Sequence, residues 1–447
     1  MNKCKEILNS QEKNMLEELK KFVSINSVYD ANTVTKEHPF GAGVANALNY
    51  VAELGKKYGF TIDRCDGYCT ELTIGDGDKM IGIFAHSDVV PATGDWSENP
   101  FYCYEKDGKL YGRGTSDDKG PFMAAFYAVL ALKEAGLLKG YKVRFVVGGD
   151  EERGSGCLDY YFKNLKKPDP TYGFTPDADF PVIYGEKGIN DFFPEISLEI
   201  PHVKSIKGGA ATNAVCDEVK IELDDANEVD NYCKDKSIQY KRSGNIITIL
   251  GKSAHGSTPS EGVNAALITM EVLGNVYGVE KLRFFVDGLS DTSGKKFGGF
   301  CYTKLMGETT YCVGLISYEN GVFKFSVNFR YPEVVNSKEY AAKFDAYFGT
   351  KSRMGEESHV LCFDPESDLV KTLMQAYREE TGDLKSEPIT IGGGTYAKHC
   401  KNTVAFGALF AGRESVMHQP DEYMPVEDIV KSAHIYARAI YLLGNLK

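Results

Sequence analysis

Apolar positions in the first half of the chain follow two periods. In SQEKNMLEELKKFV and AGVANALNYVAELGKKYGF they recur every three or four residues, which predicts amphipathic helices. Ser10 stands where an N-cap belongs in the first, and Gly59 stops the second. Between helical stretches the apolar runs are short and continuous. Ile81–Phe84 and YKVRFVVGG, from Tyr141, read as buried strands, and GPFMAAFYAVLALKEAG reads as a long helix. Helices and strands in this order predict an α/β domain with a mostly parallel central sheet. Functional groups in such sheets gather just beyond the carboxyl ends of the strands.

After YGEKG, Tyr184 to Gly188, the pattern changes. VFKFSVNFRYP alternates as a half-buried strand does, and single helices such as GVNAALITMEVLGNVYG stand between strands. The helical pattern resumes at DPESDLVKTLMQAYREETG, and Pro425 opens a last helix. The expected organisation is therefore a catalytic α/β domain, residues 1–186 and 364–447, with an inserted α+β lid over residues 187–363.

Composition narrows the function classes. A chain of 447 residues is long for one core, and 43% hydrophobic with 26% charged residues is ordinary for a globular protein. No stretch has the run of apolar residues that a membrane span needs. The opening MNKCKEILNSQEKN lacks the apolar core of a secretion signal, so a cytoplasmic location is expected. A net charge of −12 argues against nucleic acid or an anionic membrane as partner. Eleven cysteines are scattered without a repeated spacing, and Cys65 and Cys69 find no second pair to complete a zinc set. Free thiols are expected.

The acids and histidines cluster at predicted strand ends: His86 and Asp88, Asp117 and Asp118, Asp150–Glu152, Asp177 and Asp179, then His418. One histidine at a strand end is more often structural than a ligand. Asp88, two residues on and on the same face of a strand, is placed to bond the far nitrogen of His86, as carboxylates do for metal-bound imidazoles. Glu151 and Glu152 are adjacent and must point apart; taken alone they read as a solvated acidic turn, while the functional reading has Glu152 hold a metal and Glu151 take a proton. Asp117 and Asp118 precede a helix and could simply cap it, which does not exclude a ligand role.

HSDVVPATGDW, YGRGTSDDKGP, GGDEERGSG, TPDADFP and MHQPDEY, in that order, resemble the motifs of the co-catalytic zinc exopeptidases. These are the relatives of glutamate carboxypeptidase, succinyl-diaminopimelate desuccinylase and aminoacylase. SDDKGP, PDADFP, YGEKG and GGGTYAKH bring the chain nearest to bacterial dipeptidases of the PepV type. The resemblance implies two divalent ions, zinc or else manganese or cobalt. It makes His86 and Asp177 ligands of one ion, with Asp179 as the alternative to Asp177, and Glu152 and His418 ligands of the other. Asp117, two residues before Lys119, would bridge them across a cis peptide to Asp118. Glu151 would be the general base and Asp88 would orient His86. Two ions about 4 Å apart would polarise the substrate carbonyl and lower the pKa of water to about 7.

The same resemblance gives the lid a role. His255 would donate to the developing oxyanion, Asn213 and Arg330 would lie over the substrate, and an arginine fork suits a free carboxylate. IGGGTYAKH lacks the spacing of a phosphate loop; a backbone nest for the substrate carboxylate, formed by Gly393, Gly394 and Thr395, is expected instead. The implied activity is hydrolysis of unblocked dipeptides. The alternatives are a deacylase of N-acyl amino acids on the same centre, or a binding protein that has lost turnover. The lid exceeds the usual size of one domain, and the PepV-type branch uses such a lid in place of a partner subunit, so a monomer is expected.

Overall fold

The apolar run Ile81–Phe84 lies inside a twisted sheet. Its strand, Lys79–His86, runs parallel to both neighbours, Tyr141–Gly148 and Tyr172–Thr175, and Thr403–Ala405 continues the parallel set. Cys69–Gly75 and Thr61–Asp63 add antiparallel strands beyond Tyr141–Gly148. Ile81, Ile83, Phe84 and Ala85 are wholly buried because both sheet faces are covered, which is why this strand shows no polar alternation. His86 pairs with Gly148, and Ile83 with Phe174. The parallel strands therefore end level, and the segments carrying His86, Glu151–Glu152 and Asp177 leave one edge.

The computed structural model describes residues 1–446. The chain divides into two compact units: Met1–Tyr184, Phe363–Ile389 and Gly394–Lys447 form one, Gly185–Cys362 and Thr390–Gly393 the other. Residues 390–393, expected with the catalytic domain, belong to the second unit because the Lys187 N–H donates to the Ile391 carbonyl and Arg330 donates to that of Gly392. In the first unit, helix Lys119–Glu134 is buried around its whole circumference as far as Leu132. It packs against Asn2–Val23 and Val426–Asn445, and its apolar residues on every side follow from that position. Ser10 is not a cap. The first helix begins at Asn2, and Ser10 Oγ donates to the Ile7 carbonyl within it.

The second unit is an eight-stranded sheet with antiparallel neighbours throughout. Helices Asn227–Asp235, Ala265–Val276, Glu280–Leu289 and Ser337–Phe348 share its core. Strand Val322–Tyr331 shows how the alternation is used. Phe323, Phe325, Val327, Phe329 and Tyr331 enter that core. Lys324, Ser326, Asn328 and Arg330 fall on the opposite face.

Candidate metal centre

Two groups of side chains in the first unit have ligand atoms close enough to hold a metal ion: His86, Asp117 and Asp177, and Asp117, Glu152 and His418. Asp117 belongs to both. Its Oδ1 lies 2.8 Å from His86 Nε2 and its Oδ2 lies 2.9 Å from His418 Nε2. Asp177 Oδ2 stands 3.5 Å from His86 Nε2, and Glu152 Oε1 stands 3.2 Å from His418 Nε2. Asp179 joins neither group. The Asp117–Asp118 peptide is cis. Asp118 turns inward and accepts the His86 backbone N–H at 3.1 Å. His418 sits in the left-handed region, φ +65°, a conformation that costs a non-glycine residue about 1–2 kcal/mol.

Asp88 acts differently from the expectation. His86 Nδ1 donates to its backbone carbonyl at 2.9 Å, while its carboxylate lies 3.5 Å from that nitrogen. The strand ends at His86, so the same-face rule for residues two apart no longer holds at Asp88. The carboxylate instead accepts the backbone N–H groups of Glu151 at 3.2 Å and Glu152 at 3.1 Å. One residue thus orients the histidine through its main chain and shapes the Glu151–Glu152 turn through its side chain.

The electrostatics call for positive charge. Burial opposes ionisation of Asp117, yet the bonds from His418 and His86 hold its carboxyl well below the usual range. Burial and the neighbouring Asp117 raise Glu152 to about 7 and push Asp177 up. Burial and Asp177 lift Glu151 well above its ordinary value. The bonds to Asp117 and Glu152 raise His418 to about 11. Among the described residues no lysine or arginine pairs with Asp117, Glu152 or Asp177. Crowded oxygen and nitrogen donors without a lysine or arginine among them fit divalent ions such as zinc, manganese or cobalt.

Within the second unit, His255 Nδ1 lies 2.6 Å from Ser257 Oγ, and burial followed by Arg330 lowers the imidazole pKa. The Asn213 carbonyl accepts the Gly256 N–H at 2.8 Å, which ties Asn213 beside His255. Arg330 donates to the Gly392 carbonyl. A side chain on Gly392 would collide with Ser257, so glycine is needed there. His255, Asn213, Arg330 and Gly392 are thus neighbours within the second unit. The expected nest does not form in its alternating-handed version, because Gly392, Gly393 and Gly394 all lack left-handed φ. In the first unit, Thr395 Oγ1 accepts the Ala397 N–H at 3.1 Å and caps the turn Tyr396–His399.

Sequence reasoning missed Glu422, although it stands inside MHQPDEY. Its carboxylate is fully buried and accepts Arg113 Nη1 at 2.5 Å, with the Gly114 N–H, the Ser116 N–H and Ser116 Oγ each at 3.0 Å. Ser116 precedes Asp117, and Glu422 follows His418 by four residues. This carboxylate therefore ties two ligand-bearing segments together. Only its place in the motif hinted at that.

Residues 82–442 match the family described as Peptidase family M20/M25/M40. A Bacillus subtilis (strain 168) protein named "Putative dipeptidase YtjP" is 36% identical over 473 residues, covering 100% of both chains. A Staphylococcus epidermidis relative of similar description is 36% identical, covering 98% of this chain and 99% of its own. Among solved structures, human carnosine dipeptidase 1 aligns with a TM-score of 0.60 at 16% identity, covering 100% of this chain and 99% of that one. An M20 family metallo-carboxypeptidase from Sulfolobus solfataricus aligns with a TM-score of 0.60 at 18% identity, covering 97% and 99%. At such identities the structures share the fold. The family match spans most of the chain, which is therefore a member of peptidase family M20/M25/M40 and a hydrolase of peptide bonds.

Proposed function

We infer that the protein is a metal-dependent dipeptidase. The observation that carries this reading is the division of Asp117 between two histidines, each group having one further carboxylate of its own. His86, Asp117 and Asp177 would hold one divalent ion, and Asp117, Glu152 and His418 the second. Such a pair supplies polarisation of the scissile carbonyl and a lowered pKa for water. Glu151 takes a proton from the attacking water and returns it to the leaving amine. A carboxylate poised beside the attacking water can hold that proton between the two steps. Asp88, bonded to both N–H groups of the turn, keeps Glu151 free while Glu152 faces His418.

The lid residues supply recognition. Ser257 Oγ donates to His255 Nδ1, which leaves Nε2 protonated to donate to the developing oxyanion. The depressed pKa keeps this imidazole neutral around pH 7. Arg330 offers its fork to the substrate's free C-terminal carboxylate, with Asn213 and Gly393 of the same unit as further contacts; Gly394 and Thr395 remain proposed substrate-binding residues of the first unit. The dipeptidase names carried by relatives that cover the whole chain agree with a small-peptide substrate. The chain is read as a working monomer whose own lid provides His255.

Metal analysis and kinetics test this reading. The protein should carry two divalent ions per chain, lose activity on chelation and regain it with zinc, manganese or cobalt. It should cleave free dipeptides in preference to N-acyl amino acids. Glu151→Gln should keep its metal and fold while kcat falls about 10²–10⁴-fold. Full activity after exhaustive chelation, with no metal left by elemental analysis, would refute it.

A further inference from the structure

Arg330 is only 2% exposed and makes no ion pair with a carboxylate among the described residues. Its Nε donates to Asn328 Oδ1 at 2.8 Å, and Asn328 Nδ2 donates to Asp191 Oδ1 at 2.7 Å. Asn328 is itself 1% exposed. The three side chains share the sheet face turned away from the helical core. Asn328 precedes Arg330 by two residues on one strand, and Asp191 is its cross-strand partner.

The amide at this position has two tasks of opposite polarity: it must accept from the guanidinium and donate to a carboxylate. Aspartate has nearly the same shape. Beside Arg330, however, it would form an ion pair and neutralise the charge that attracts a substrate, and it would face Asp191 with like charge. Asn328 aims the guanidinium and leaves its charge available. Asp191 holds the amide in the orientation that presents oxygen to Arg330.

We propose that Asn328, oriented by Asp191, is a positioning residue that sets the preference for substrates with a free C-terminal carboxylate. This rests on the reading of Arg330 as the carboxylate anchor. A merely structural network between the strands would, when disturbed, lower activity on every substrate alike.

The test uses the full metal-loaded chain, a dipeptide and the C-terminal amide of the same dipeptide. Asn328→Asp should raise KM for the dipeptide about 10–100-fold, the worth of one bond to a charged group, while kcat stays within about twofold. KM for the amide should move by less than about threefold. Asp191→Asn, which leaves Asn328 and Arg330 in place, should shift the same ratio in the same direction by about three- to tenfold. It decides the matter if Asn328→Asp does not fold. Equal losses on acid and amide, or an unchanged ratio in a folded variant, would overturn the proposal. Arg330→Ala separates the two failures. If Arg330→Ala loses more on the acid than on the amide and the other two variants do not, only the role of Asn328 falls. If it too loses both equally, the anchor reading falls and takes this proposal with it.

Discussion

Replacing Glu422 by glutamine keeps the shape of the side chain and removes one charge. The carboxylate serves four donors, and both Glu422 and Arg113 are essentially inaccessible to water. Burial raises the Glu422 carboxyl despite Arg113, so the pair as a whole adds little stability over an apolar one. Removing one partner is another matter. Arg113 Nε and Nη2 already lack hydrogen-bond partners, and the Trp96 ring, 5.0 Å away, is a weak substitute for an anion. Leaving a buried guanidinium unpaired costs about 3–5 kcal/mol. At about 2–3 °C per kcal/mol for a unit of this size, the melting transition of Glu422→Gln should fall by about 6–15 °C. Scanning calorimetry on the metal-loaded protein measures it. Metal affinity should fall too, because Ser116 and the His418 segment lose their common tether. A drop below about 1 kcal/mol for Glu422→Gln would refute this account of the clamp.

Metal binding should tighten as pH rises from 6 to 8. His418, raised to about 11 by Asp117 and Glu152, must give up a proton to become a ligand, so affinity should gain about tenfold per pH unit for each proton displaced; a pH-independent Kd by calorimetry would contradict this. A lid that acts on its own chain predicts that co-expressed Glu151→Gln and His255→Ala remain inactive together. Recovered turnover would mean that His255 serves a partner subunit.

Local periodicity carried much of this protein into view. The continuous run Ile81–Phe84 called for a strand covered on both faces, and the alternation in Val322–Tyr331 sent Arg330 to the face opposite the aromatic core. Helix and strand periods can do this because they depend on residues a few positions apart. His86, Asp117, Glu152, Asp177 and His418 stand out by resemblance to the family's ordered motifs, which no period supplies. Tertiary structure alone decided which atoms of those residues are used. Asp88 lends His86 its carbonyl and gives its carboxylate to the Glu151–Glu152 turn, a choice that depends on where the strand ends. Glu422 meets Arg113 across 309 positions of sequence, and Asn328 meets Asp191 across 137. A buried polar group must be satisfied, but the sequence does not say by which distant partner; only the packed chain brings donor and acceptor within hydrogen-bond reach.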